Sequence, residues 1–209
     1  MATGQSPAGN RGLIGFDPDR DTILDPKSLR GLAHPMRVRL RTELASSGPA
    51  TASQLASRIG ESSGATSYHL RQLAAYGFVV EDETLGKGRE RYWRAVHRGV
   101  WFGGVMPETE PELAASAEYV RAVARQYADR IERFADGLEA AADTLGAEWD
   151  RAWDMSDWLL DLTPEQARDL SRRFHELCLP FRRDLGSTPV DGTRGVVAQF
   201  QILPLPATD

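Results

Sequence analysis

Ser62, Ser63, Ser67, Tyr68 and Arg71 fall within ten residues of one another in the run ESSGATSYHLRQL. On a helix whose Leu70 and Leu73 face a core, Ser63, Ser67, Tyr68 and Arg71 share the outward side, with Ser62 and Thr66 beside it. Gly64 and Ala65 keep that surface low enough for a partner to come close. Hydroxyls and one guanidinium suit hydrogen-bonded recognition rather than bond making. A guanidinium fork fits paired acceptors in one plane, as on the edge of a guanine, and is worth about 1–3 kcal/mol of discrimination there. Ser62 and Thr66 are expected near phosphate oxygens. Lys87, Arg89 and Arg91, around the glycines of LGKGRER, are cations suited to phosphates or a minor groove, with an affinity that falls steeply with salt. His69 is expected to pack at the domain edge and His34 to cap or pack at a helix junction. The chain has no phosphate-cradling glycine motif, no zinc-hydrolase pair and no nucleophile elbow. The expectation is therefore a binding protein, not an enzyme, with no cofactor.

The elements that must carry these residues can be read on either side of them. Residues 26–47 have a helical pattern broken at His34-Pro35, because proline disfavours a helical residue before it but suits a helix's first turn. One helix should end near Ala33 and another run from Pro35 to Ala45, where Gly48 and Pro49 follow. Thr51 and Gln54 have capping-box spacing and open a helix with Leu55, Ala56 and Ile59 on one side. Gly60 turns the chain, and Ser62 caps the next helix, which ends at Gly77. Two short helices across a glycine turn are a helix-turn-helix pattern. FVVED, LGKG and ERYWRAV then read as strand, turn and returning strand, a hairpin in the position of a wing.

Beyond Arg98 the pattern changes. Residues 97–111 read as a connector. From Glu112 to Leu145, the apolar positions Leu113, Ala117, Val120, Ala124, Tyr127, Ile131, Phe134, Leu138, Ala141 and Leu145 alternate steps of four and three, a heptad repeat. At about 1.5 Å per residue that helix would span roughly 50 Å. Such a seam needs cover, from another helix of the chain or from the same helix of a second subunit. AEWDRAWDMSDWLLDL reads as helical, and Trp101, Trp149, Trp153 and Trp158 are candidates to line a pocket for an apolar effector. Thr163-Pro164-Glu165-Gln166 is a strong helix start. The helix it opens should bury Ala167, Leu170, Phe174, Leu177, Cys178 and Phe181. His175 and Cys178 stand three apart, as metal ligands can, but Cys178 shares an apolar face and reads as core. Val197–Leu203 alternates like a late strand.

The strings LRGLAHPMRVRLRTEL, TASQLASRIGESSGATSYHLRQLAAYGFVV and GRERYWRAV, over roughly residues 26–96, resemble the ArsR-type family of winged-helix repressors, especially its actinobacterial-type members. That resemblance implies a dimer on a DNA operator, repression as the usual outcome, and often an effector. Some members sense thiophilic metals through cysteines on the helix before the recognition helix. Here that helix reads SQLASRI, without cysteine, so no metal site is expected.

Charge agrees. Residues 26–98 hold 12 Lys and Arg against six acids, a net +6 within a 209-residue chain of net charge −5, so the remainder carries −11. A basic segment beside an acidic one suits a DNA-reading unit joined to a different module. The one cysteine excludes an internal disulfide framework and fits a reducing cytoplasm. The chain lacks an 18-residue apolar stretch, and its first residues lack the apolar core of a secretion signal. The expected fold is mainly α with a small β-wing: a winged helix-turn-helix plus long C-terminal dimerisation helices. The expected segments are a disordered leader (1–24), the DNA-binding domain (25–98), a helical dimerisation and effector domain (99–185) and a tail with a short strand (186–209). Double-stranded DNA, a second copy and a small-molecule effector are the expected partners, in the cytoplasm and away from membranes. Leu113, Val120, Tyr127, Ile131, Phe134 and Leu138 would form the dimer seam. The alternative is a winged-helix protein-interaction module whose heptad helix docks a different protein.

Overall fold

A computed structural model describes residues 16–85, 90–103, 107–138, 146–149, 152–185 and 191–205. The first helices follow their caps. Asp25 accepts the Ser28 N–H while Ser28 Oγ accepts the Asp25 N–H, and Pro26 opens α1 (Pro26–Leu32). His34 Nδ1 accepts the Met36 N–H and starts α2 (Pro35–Ser47), with Pro35 in its first turn. After β2 (Ala50–Thr51), the Thr51–Gln54 capping box opens α3 (Ala52–Ile59). Gly60 closes α3 at φ +72°, a conformation that favours glycine. Ser62 Oγ accepts the Ala65 N–H and starts α4 (Ser63–Ala75).

Strands β3 (Val79–Glu81) and β4 (Tyr92–Ala95) pair antiparallel, and β2 adds to the far edge of β4. The core lies between this sheet and the helices. Leu32, Leu40, Leu44, Leu55, Leu70 and Leu73 are all but inaccessible to solvent, and Phe78 and Trp93 close the core from the sheet side. Each such side chain stabilises the fold by about 1.5–3 kcal/mol through burial. The architecture is mainly α with a small β-wing: a winged helix-turn-helix followed by one long helix.

That long helix is α5 (Glu110–Asp136), started where Glu112 accepts the Thr109 N–H. Its 27 residues extend about 40 Å, shorter than the heptad pattern predicts, because the helix ends at Gly137, whose N–H bonds Arg133 O. Ala141 and Leu145 lie outside the described residues. α5 packs on α1 and α2 through Ala115, Tyr119, Ala122, Val123 and Gln126. That stripe lies about a third of a turn from the heptad seam, at about 100° per residue.

The N-terminal expectation needs correction. Instead of a disordered leader through residue 24, Asp21–Ile23 forms β1, parallel to β5 (Gly99–Trp101) inside the supposed connector, and Leu24 is buried. Asp21 anchors the C-terminal region. Its buried carboxylate takes Arg182 bidentately at 2.8 and 3.0 Å and lies 3.6 Å from Arg98 Nε. Arg98 and Arg20 both meet Asp184. A Cβ on Gly99 would sit 2.6 Å from Asp21 Oδ1, so only glycine leaves room for this clasp.

Three C-terminal expectations also differ. Among the described residues of AEWDRAWDMSDWLLDL, Ala147–Trp149 forms a helical turn of 3₁₀ type, and residues 153–163 have no regular structure. Aspartates are poor helix formers, and Asp154 instead accepts a local hydrogen bond from Ser156 Oγ at 2.8 Å. α6 (Pro164–Cys178) starts at the Thr163–Gln166 capping box as expected but buries none of its residues. Phe174 and Cys178 are half-covered, and Leu177 and Phe181 face solvent. Val197–Leu203 forms no strand, since no sheet edge pairs with it. Phe200 stacks on Phe174 at 4.0 Å between ring centres instead. No helix among the described residues is long and apolar enough to cross a membrane.

Candidate nucleic-acid interface

α4 has two unlike sides. Thr66, Leu70 and Leu73 are buried against α2 and α3, and this fixes the rotation of the helix. Ser63, Tyr68 and Arg71 are therefore turned to solvent, with Tyr68 55% exposed, and Ser67 is half-covered. Arg71 has no carboxylate partner among the described residues, so its fork is open. Ser67 and Arg71 form one wall of a cleft of about 290 Å³, and Thr51, Ala52, Ser53, Glu90, Arg91 and Trp93 line the rest, so one carboxylate stands among its cations. The first turn of α3, the middle of α4 and the base of the wing thus converge. Arg91, just before β4, borders the cleft and lies 3.6 Å from Glu81. Lys87 and Arg89 lie outside the described residues.

Ser62 keeps its expected cap, and Thr66 changes role. Ser62 is the N-cap of α4, its Oγ occupied by the Ala65 N–H, though it remains exposed. Thr66 is fully buried, and its Oγ1 has no hydrogen-bond partner among the described residues. It cannot reach a phosphate. A buried hydroxyl without a partner costs about 1–3 kcal/mol, so Thr66→Val is expected to raise the urea midpoint without weakening ligand binding by α4. A lower midpoint would show that the hydroxyl is satisfied after all.

Sequence reading missed Thr51, Ser53 and Trp93. The Thr51–Gln54 box marks the helix start, but only the fold brings that start against α4. Several cations counted as basic surface are in fact structural. Arg41 is half-buried and donates to His97 O at 2.6 Å and Arg98 O at 2.9 Å, and desolvation of its guanidinium brings its pKa down to about 10. Above it, burial pushes Tyr119 of α5 up to about 12. Arg39 donates to Ile59 O at 3.0 Å and Arg37 to Arg30 O at 2.8 Å.

Behind the outward face, the His34 and His69 rings lie 4.4 Å apart, tilted by 35°, and His69 Nδ1 is buried without a partner among the described residues. Burial lowers both pKa values. Arg37 lowers each further, His34 adds to the effect on His69, and Glu61 opposes it there. His97 and His175 are lowered by burial too, with Arg41 and Arg182 adding respectively. These are all four histidines of the chain. A histidine lowered in the folded state is neutral there and takes its proton more readily when unfolded. Stability is thus complete above the unfolded value of about 6.5 and declines as pH falls below it. Urea midpoints should drop between pH 7.5 and 5.5, and His69→Gln should lessen the drop. An unchanged or higher midpoint at pH 5.5 would contradict this.

The expected seam residues Leu113, Val120, Ile131, Phe134 and Leu138 lie between 39 and 47% exposed, and Tyr127 is half-covered. The four tryptophans have separate surroundings. Trp101 lies against His175 and Phe16, Trp149 beneath Arg194, Trp153 against Phe134, and Trp158 in solvent.

A family model described as a helix-turn-helix domain matches residues 32–82, the span of α2, α3, α4 and β3. Among solved structures, one described as a possible transcriptional regulator for arsenical resistance is 27% identical, covering 53% of this chain and 94% of that one, at a TM-score of 0.30. Lactococcus lactis ZitR, a double mutant in its apo form, is 14% identical over 70% of this chain and 81% of that one, at a TM-score of 0.26. No curated protein matches. The chain carries a helix-turn-helix domain.

Proposed function

We propose that this protein is a DNA-binding transcriptional regulator that reads an inverted-repeat operator as a homodimer, one α4 helix in each of two successive major-groove faces. The observation that carries this reading is the two-sided α4. Leucines hold one side in the core, and the other presents Ser63, Ser67, Tyr68 and Arg71 beside an open cleft. In a major groove Arg71 reads a base edge. Arg91, with Lys87 and Arg89 from the wing tip, meets the backbone. The exposed α5 seam joins the two copies and sets the distance between their α4 helices. Resemblance to ArsR-type proteins supports repression as the outcome.

The test is titration of labelled duplexes at fixed salt. Arg71→Ala should reduce discrimination between the operator and a site altered at one base pair by about 1–3 kcal/mol. Arg91→Ala should weaken all duplexes alike and lower the salt slope by about one. Equal affinity of the parent protein for operator and random duplex would overturn the reading.

A further inference from the structure

His34 and His69 join α4 to the start of α2. Their rings lie 4.4 Å apart, and the Tyr68 ring meets His69 edge-on at 5.1 Å. His34 caps α2 at its junction with α1, and His69 stands in the middle of α4. One contact thus links the first turn of α2 to the exposed tyrosine of the outward face.

The surroundings suit the pair only while both rings are uncharged. His34 Nδ1 accepts the Met36 N–H at 3.2 Å, so the neutral ring carries its proton on Nε2. A second proton would occupy Nδ1, remove that cap and set a full charge against the positive end of α2. His69 Nδ1 is buried with no hydrogen-bond partner among the described residues, so a proton there would be a donor without an acceptor. Arg37 on α2 faces both rings, with its guanidinium held at 2.8 Å by Arg30 O of α1 and its Nε buried without a partner among the described residues. Tyr68 of α4 and Tyr76 at its C-cap face Arg37. Glu61, in the turn before α4, is the carboxylate that pulls the other way at His69, and it is exposed. Burial first, then the positive neighbours, hold both rings below the usual histidine range. Protonation would set two imidazolium charges beside a fixed guanidinium, against one carboxylate that water screens.

We infer that His34 and His69 are positioning residues for base reading: while neutral they seat α4 against α2, and once protonated they push it away, so that in acid the folded protein distinguishes its operator poorly. This rests on the DNA-binding reading above. The added charge by itself strengthens attraction to every duplex, whereas a displaced α4 loses the contacts of Arg71 and Tyr68 with base edges. The signature is therefore a fall in the ratio of operator to random-duplex affinity, not in affinity as such.

The experiment uses the full chain and a duplex that it selects from a random pool at pH 7.5. Affinities for that duplex and for a scrambled one are measured from pH 7.5 to 5.5 at fixed salt, with circular dichroism on each sample. The expected result is a ratio that falls at least tenfold by pH 5.5 while helix content is unchanged. His69→Gln and His34→Asn, made separately, should each reduce that fall to under threefold, since neither new side chain titrates and asparagine keeps an N-cap acceptor. A ratio constant with pH in the unaltered protein, or one that falls as far in either variant, would overturn the inference. So would helix content that drops in step with the ratio, because general unfolding would then account for the loss. If no duplex is preferred at pH 7.5, the DNA-binding reading itself fails and the positioning role with it. A preference that pH leaves alone rejects the positioning role only.

Discussion

Under the proposed homodimer, Val120→Asp with Ile131→Asp is expected to give a monomer and to lower affinity for a two-half-site duplex at least a hundredfold. Both side chains are more than 40% exposed in the single chain, so a charge at either position stays solvated and costs the fold little. In the proposed dimer the same positions would be buried, and an ionised carboxylate there would lose its water without gaining a cation. Four aspartates would then occupy one joint. Losing the joint removes the gain from binding two linked half-sites, which is about 10²–10⁴ in affinity. Sedimentation velocity and duplex titration read the two effects, and an unchanged circular dichroism spectrum confirms the fold. A doubly substituted protein that still sediments as a dimer would place the interface elsewhere.

Asp21→Ala has the largest expected effect on stability. The carboxylate is buried to 2% exposure, and burial alone would raise its pKa. The two Arg182 hydrogen bonds, the Asp17 amide and the Arg98 charge outweigh that and hold it below the usual carboxylate range. Removing it breaks the bidentate pair with Arg182, while Arg98 keeps Asp184 at 2.9 Å. Both arginines retain some solvent, so the expected cost is about 1–3 kcal/mol, below that of a fully buried broken pair. The β1–β5 pair and the C-terminal segment should loosen together. The urea midpoint should fall and proteolysis after Arg182 and Arg183 should speed up. A loss under about 1 kcal/mol, within the ordinary range of surface substitutions, would show that water replaces the carboxylate without penalty.

Local signals account for much of the outcome. The Thr51–Gln54 and Thr163–Gln166 boxes, the His34–Pro35 break and Gly60 place helix ends correctly because capping is chemistry between residues two to four apart. Thr66 is legible too. It lies four before Leu70 and seven before Leu73, on the buried stripe, and its polarity draws it wrongly to the surface. The β1–β5 pair is not legible. Two three-residue strands 78 residues apart have no alternation to read, and Asp21 gives no sign of burial until Arg182 meets it. On α5 the larger residues define the exposed seam, while Ala115, Tyr119, Ala122 and Gln126, at similar spacing, make the close contact with α1 and α2. Ala115 and Ala122 let α5 approach α1 and α2, and Tyr119 and Gln126 fill the space beside them.

α2 touches α4 on one side and α5 on the other, and Arg41 within it grips the backbone that leads from the wing into β5. A tilt of α5 is therefore passed to α4 with no soft joint between. In a dimer the gap between the two reading heads is then governed at the pivot where the copies meet, as the points of a pair of dividers are governed at the hinge. A signal that switches such a protein acts most effectively at that pivot, and the groove-facing residues need not change shape at all.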